Sequence, residues 1–319
     1  MPAVRQATEF RPGPHRVAVF AAAVTWPLLV VGGLVTTYRV GMAVPDWPTT
    51  FGINMFLYDF TKAAWGVFVE HGHRLYGAAV GLATVILAAW FLLADRRPWM
   101  KGLGVAALAL VIAQGLLGGL RVRMNSTHLA AIHGCTAQAF FALMTALCVL
   151  TGRPWAEAAA PLPDPSRLRR RSAVTLALVY LQIVAGAWLR HFGTPAALVL
   201  HALLAAAVWG HAAMLSWRVL RHRAEAPALV ASALAMDLAV TLQVALGVVA
   251  WWMLRPFDGI PALVTTPQAL IRTGHLANGA LLLGSAVVLT LRAFRGLSPS
   301  LASSAVPTTP AARSLEAIA

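Results

Sequence analysis

Eight runs of about twenty predominantly apolar residues recur along the chain, each long enough to cross a bilayer as a helix. They lie near 17–38, 66–94, 102–122, 128–152, 173–190, 193–217, 227–254 and 263–291. The second and eighth begin before their most apolar stretches, because polar residues crowd their first turns. The pattern predicts an all-α integral membrane protein of eight transmembrane helices. No signal-peptide cleavage pattern follows the first run, which is read as a retained helix. The organisation expected is an N-terminal segment at 1–16, carrying Pro12 and Pro14, and a four-helix half at 17–152. A linker at 153–172, with four prolines and a basic cluster, leads to a second four-helix half at 173–293. Residues 294–319, rich in Ser, Pro and Ala, read as a disordered tail.

Composition removes the alternatives. Apolar residues make up 59% of the 319 and charged ones 11%, against about 45–50% and about 25% in soluble domains. One soluble core cannot hide that surplus, so a soluble enzyme, a disordered chain and a disulfide-stapled module are excluded. The net charge of +14 does not point to nucleic acid, since the arginines sit in short runs between apolar stretches. With both termini cytoplasmic, 17 basic residues fall inside and eight outside, the bias that membrane insertion produces. Cys135 and Cys148 share one span; thirteen residues of helix place them roughly 20 Å apart, beyond disulfide reach.

The halves repeat. Spans 3, 5 and 7 carry Gln114-x-x-x-Gly118, Gln182-x-x-x-Gly186 and Gln243-x-x-x-Gly247. His133 and His201 each follow their glutamine by nineteen residues, and His275 follows Gln243 by thirty-two because a longer loop with Pro256 and Pro261 intervenes. An even number of spans per half makes the repeats parallel, related by an axis along the membrane normal. Close helix approach explains the glycines but not the matched histidine spacing. His73, His133, His201 and His275 take equivalent places near the outer ends of the even-numbered spans. Histidines within spans are rare and face a bundle interior or cavity. Two per half is the stoichiometry for bis-imidazole ligation of a haem iron between facing helices, whereas zinc or copper would want clustered ligands.

The strongest local motif is Glu70-His71-Gly72-His73-Arg74. On a helix Glu70, His73 and Arg74 share a face and His71 points elsewhere. Glu70 can serve as an acid or base beside a ligated imidazole, or simply pair with Arg74 at i,i+4. His15, His191 and His222 read as loop residues, His128 as interfacial and His211 as packed. Asp237 is the one acid deep in an apolar run, where a proton path and a helix–helix hydrogen bond are both open readings. Seven of the eight outer basic residues are arginines, and Arg74, Arg121, Arg123, Arg190 and Arg272 lie near the candidate ligands. Planar guanidinium forks there suit haem propionates.

Gly32-Gly33-x-x-Thr36, Met42-Ala-Val-Pro45-Asp46-Trp47-Pro48, Glu70-x-x-His73-Arg74, Gln114-Gly-x-x-Gly118-Gly119, His133, His201 and His275 together resemble the heme A synthase family over roughly residues 20–292. Tyr38–Val44 departs from the family's Gly-Ser-Gly-Leu-Ser stretch, and the outer loops lack the cysteine pair of many bacterial members. The resemblance implies a bacterial cytoplasmic-membrane oxidoreductase of cytochrome oxidase assembly that converts the C8 methyl of heme O to the formyl group of heme A. It further implies a structural heme b between His201 and His275, substrate haem between His73 and His133 beside Arg74, and Glu70 as essential acid/base. Membrane lipid, a prenyl-haem synthase and an electron donor are the partners implied. A di-haem membrane cytochrome would also use four histidines, but would not need Glu-x-x-His-Arg in one half only; span 6 has Leu198-Val199-Leu200-His201-Ala202 at the matching place. A transporter would more naturally break its helices at mid-membrane.

Overall fold

The structure, a computed structural model, describes residues 10–158, 160–254 and 263–298. Within them are eight helices long and apolar enough to cross a membrane: α1 (Pro12–Thr37), α2 (Trp65–Ala94), α3 (Pro98–Arg123), α4 (Thr127–Thr151), α5 (Leu168–Phe192), α6 (Pro195–Arg221), α7 (Pro227–Leu254) and α8 (Thr266–Gly296). Several begin earlier than the apolar pattern alone indicates, α1 at Pro12, α3 at Pro98 and α5 at Leu168, whereas α6 starts at Pro195, two residues later than expected. Pro12, Pro98 and Pro195 sit in first turns, where a missing N–H costs nothing and the fixed φ suits the helix. The segment read as 1–16 therefore already contains the start of α1. Ser126 caps α4 by accepting from the Leu129 N–H at 3.2 Å, and Thr194 caps α6 by accepting from Ala197 at 3.2 Å. Gly193, with φ at +63°, closes α5 as a left-handed C-terminal residue does.

The connection read as 153–172 holds a helical turn at Arg153–Ala156 and is shorter than expected, because α5 starts at Leu168. Its Leu162–Pro163 pairs in parallel with Leu297–Ser298, so the first residues assigned to the tail are in fact the end of α8 and a strand. The remaining tail from 299 and the loop with Pro256 and Pro261 lie outside the described residues. Two-residue pairings, this one and an antiparallel hairpin of Thr49–Thr50 with Ile53–Asn54, are the additions to an otherwise helical fold.

Helices α1 to α4 contact one another in sequence and α1 closes on α4; α5 to α8 do the same, with α5 against α8. Each set has its own apolar core, Leu87, Phe91, Met100, Met144 and Leu147 in the first and Val179, Leu215, Met236, Leu283 and Leu289 in the second. Leu29, Phe141 and Ala280 join them where α1, α4 and α8 meet, and Trp26 Nε1 donates to the Ala277 carbonyl at 3.0 Å. Helix α8 is central: 67% of its most apolar window is buried, against 17–39% for the others. Large side chains such as Leu93, Leu203 and Leu238 remain exposed, an outward apolar surface that lipid would cover.

Candidate functional site: four seated histidines and a pinned loop

All four histidines lie in the first third of an even-numbered helix, and each ring lies against a glycine of the preceding odd-numbered helix. A Cβ on Gly32, Gly118, Gly186 or Gly247 would come 3.0, 3.3, 2.9 or 3.0 Å from Cε1 of His73, His133, His201 or His275 respectively. At Gly186 that is closer than Cβ atoms approach, and at the other three it is tight enough that the ring must shift by a few tenths of an ångström to admit a methyl. The glycines in Gln-x-x-x-Gly thus make imidazole seats rather than general close approach. Gly32 is the fourth seat; sequence reading missed its place in the pattern because span 1 has no glutamine ahead of it.

The glutamines reach the same histidines, which accounts for the matched spacing. Gln182 donates to the His201 carbonyl at 2.9 Å and lies 3.4 Å from Nε2; Gln243 lies 3.3 Å from His275 Nε2. Gln114, with its amide nitrogen turned toward His133, reaches that residue's Nδ1 and carbonyl oxygen at 3.2 Å. Asn278 anchors Gln243 by donating to its Oε1 at 2.8 Å.

The imidazoles of the second half have room between them for a haem iron. The His201 and His275 rings are 6.2 Å apart, centroid to centroid, at 72°, a separation that accommodates one ion with metal–nitrogen bonds of about 2 Å. Nδ1 of His73, His201 and His275 is buried with no hydrogen-bond partner, a costly state for a ring nitrogen unless something else engages it. His73 is within electrostatic reach of His133, Arg121 and Arg74. Among the described residues no group of three or more His, Cys, Asp or Glu gathers as a metal cluster, and both cysteines are free.

Glu70 is 1% exposed. Its Oε1 accepts from Arg74 Nη2 at 2.9 Å and its Oε2 from the Val44 N–H at 2.9 Å, so the i,i+4 pair exists and also holds a loop. Arg74 donates further to the carbonyls of Val44 (2.8 Å), Asp46 (2.7 Å) and Thr49 (3.1 Å). The same loop is tied internally by Asp46, which accepts from Thr49 Oγ1 at 2.5 Å, Phe51 N–H at 2.8 Å and Gly52 N–H at 2.9 Å. Burial pulls the Asp46 carboxyl upward, but the Gly52 N–H, the Thr49 hydroxyl and the Phe51 N–H together hold it down at about 2. Trp47 lies against α3, where a Cβ on Gly119 would run into its indole ring. The adjacent glycines 118 and 119 therefore have separate tasks, one under His133 and one under Trp47.

His71 does point away from His73, and it is not idle. It is fully buried, bonds Thr50 Oγ1 through Nδ1 at 3.0 Å, and packs against Tyr58 and Phe60 at 5.2 and 4.9 Å. His15 is in α1 and bonds Thr151 at 3.2 Å, His191 is in the last turn of α5, and His222 ends α6 and bonds Ser166 at 2.8 Å, so none is a simple loop residue. His211 bonds Thr175 at 2.8 Å, as its packed reading expected. Of the arginines, Arg190 donates to the Gly33 carbonyl (2.9 Å) and Thr37 Oγ1 (2.7 Å), and Arg272 lies within electrostatic reach of Arg39. Arg123 is exposed, and Arg255 lies outside the described residues.

Fold and site together define a polytopic helical membrane protein with paired, glycine-seated histidines inside its spans. The chain belongs to the cytochrome oxidase assembly protein family COX15-CtaA, whose family model matches residues 15–198. That stretch includes Glu70, His73 and His133 and stops before His201. The chain is 28% identical over 222 residues to a heme A synthase of Sphingopyxis alaskensis, covering 56% of this chain and 59% of that protein. It is 33% identical over 172 residues to one of Alkalihalophilus pseudofirmus, 51% and 55% of the two chains. With the mouse (Mus musculus) heme A synthase COX15 it shares 33% over 157 residues, 42% and 35%. The matches thus span little more than half the length of these relatives at most.

Proposed function

We propose that this protein is a heme A synthase, oxidising the C8 methyl of heme O to a formyl group by two hydroxylations and loss of water. The observation that carries the reading is an asymmetry. Both halves seat two imidazoles on glycines, but only the first adds a buried carboxylate, Glu70, one turn before a histidine. In this reading His73 and His133 hold the substrate haem, and His201 and His275 hold a resident heme b. When bound, heme b supplies one-electron transfer toward the substrate side. Glu70 takes and returns protons at the reacting methyl. Arg74 acts as a positioning residue, fixing Glu70 and the 44–49 carbonyls, and the loop it holds keeps bulk water from the carboxylate.

The proposed architecture is two parallel repeats, 17–152 and 173–293, joined by the 153–172 connection. Both termini are cytoplasmic in a bacterial cytoplasmic membrane, which the 17-to-eight distribution of basic residues supports. The histidine end then faces outward. A prenyl-haem synthase would deliver substrate, and an external oxidant, dioxygen reduced with electrons from a separate donor, would take up the electrons removed from the methyl carbon and supply the oxygen.

The test is co-expression with a heme O-producing enzyme, followed by extraction and identification of the haems. Heme A is expected from the wild type, and Glu70→Gln should accumulate heme O or the alcohol while the protein still carries haem. Recovery of two tightly held b-type haems with no oxidised product would favour the di-haem cytochrome instead.

A further inference from the structure

We infer that a small basic cavity at the N-terminus of α4 binds the two carboxylates of the porphyrin held by His73 and His133; this rests on the haem reading above. The cavity has a volume of about 170 Å³ and is lined by Arg39, Arg121, Thr36, Ser126 and Thr127 among others. It adjoins a wider recess of about 580 Å³ that shares Ser126, Thr127 and His191.

Arg121 leaves α3 one turn after Gly118, the seat of His133, and lies within electrostatic reach of both His73 and His133. Its guanidinium rests on Gly41, where a Cβ would come 2.8 Å from Nη1. Neither Arg121 nor Arg39 has a side-chain hydrogen bond or ion pair among the described residues. The nearby acids are already engaged: Glu70 by Arg74 and Val44, Asp46 by its own loop. Arg121 is half-buried and Arg39 exposed; Glu70 lies within electrostatic reach of Arg121 but does not hydrogen-bond it among the described residues, and guanidinium forks pair best with carboxylates. Ser126 Oγ takes the Leu129 N–H, and the remaining first-turn N–H groups of α4 add the favourable end of its dipole. A lipid phosphate shares this anionic chemistry. The cavity is lined from α1, α3, α4 and the last turn of α5, at the same ends of α3 and α4 as Gly118 and His133, which favours the porphyrin.

The experiment uses the full chain with its resident haem, in nanodiscs of phosphatidylcholine, titrated with haemin or haemin dimethyl ester and followed by the Soret band. Wild type should bind haemin more tightly than the ester by about tenfold or more. Arg121→Leu and Arg39→Leu should weaken haemin to about the ester's affinity without changing the ester, and Arg121→Lys should fall between. Arg123→Leu, an exposed arginine lining neither cavity, should match wild type. Melting temperature and the resident haem's spectrum check that each variant is folded. Equal binding of haemin and ester, or haemin affinity unmoved in both leucine variants, would overturn the inference and leave the proposed function standing. If phosphatidylglycerol competes with haemin in the wild type but not in Arg121→Leu, and the ester binds as tightly as haemin, the cavity takes a lipid headgroup and the inference fails. A wild type that binds neither porphyrin beyond its resident haem, with His73→Ala and His133→Ala unchanged from it, would instead remove the haem reading itself.

Discussion

A single methyl group at a histidine seat has consequences that its size does not suggest. At Gly186 the added Cβ would meet His201 Cε1 at 2.9 Å, and the ring can yield only by leaving its place opposite His275. Overpacking of this kind costs about 1–3 kcal/mol, so Gly186→Ala should reduce retention of the C-terminal haem by about tenfold or more. Gly134→Ala is the matched control, because nothing lies within 4 Å of a Cβ there. Spectral titration of haem in both variants checks the expectation, and equal retention would mean the seat does not position the ring. Glu70 presents a different case. Both its oxygens accept hydrogen bonds, from Arg74 and Val44, and an amide can accept on one side only. Glu70→Gln is therefore expected to loosen the Val44 or Arg74 contact as well as remove the proton carrier. Arg74→Lys separates these effects: it keeps the carboxylate and reduces the loop contacts. A larger loss of product in Glu70→Gln than in Arg74→Lys would assign the effect to the proton rather than to the loop.

The element that most shapes the N-terminal site is the segment between α1 and α2. It is held by Arg74 beneath, by Asp46 within, by His71 through Thr50, and by Trp47 on Gly119. Gly119→Ala would drive a Cβ into the Trp47 indole and should expel Trp47, which a red shift of tryptophan emission and faster proteolysis within 38–64 would reveal. The acid response has a definite sign. The Asp46 carboxyl is depressed from 3.8 to about 2 in the fold, so its contribution is fully present above about pH 4 and is lost as pH falls toward 2. Asp46→Asn should make loop proteolysis nearly independent of pH across that window, and an unchanged profile would show that other groups govern the loop.

At the scale of the molecule, the two sets of four helices are joined by few polar bonds. Trp26 reaches Ala277, and Arg190 on α5 donates to Gly33 and Thr37 on α1. Arg190→Met would leave a buried carbonyl and hydroxyl short of a donor, at a cost of about 1–3 kcal/mol. The melting temperature should fall, while the spectrum of a haem between His201 and His275 should be retained, since neither histidine bonds Arg190 among the described residues. Loss of haem without loss of stability would place Arg190 in the haem site rather than in the joint.

Hydrophobic run length and the spacing of Gln, Gly and His determined the helix count, the equivalence of four histidines and the position of Glu70, because bilayer thickness and helical period act on local sequence. The helix starts were less legible: the apolar signal fades where Pro12 and Pro98 open helices ahead of their apolar runs. Only the tertiary structure decided that Gly32 belongs with the other three seats, that Gly119 carries Trp47, and that Arg74 turns to loop carbonyls while Arg121 makes no side-chain hydrogen bond among the described residues. These facts depend on which residues meet across helices, and Gly32 and His73, or Gly119 and Trp47, are brought together by packing that no periodicity along the chain encodes.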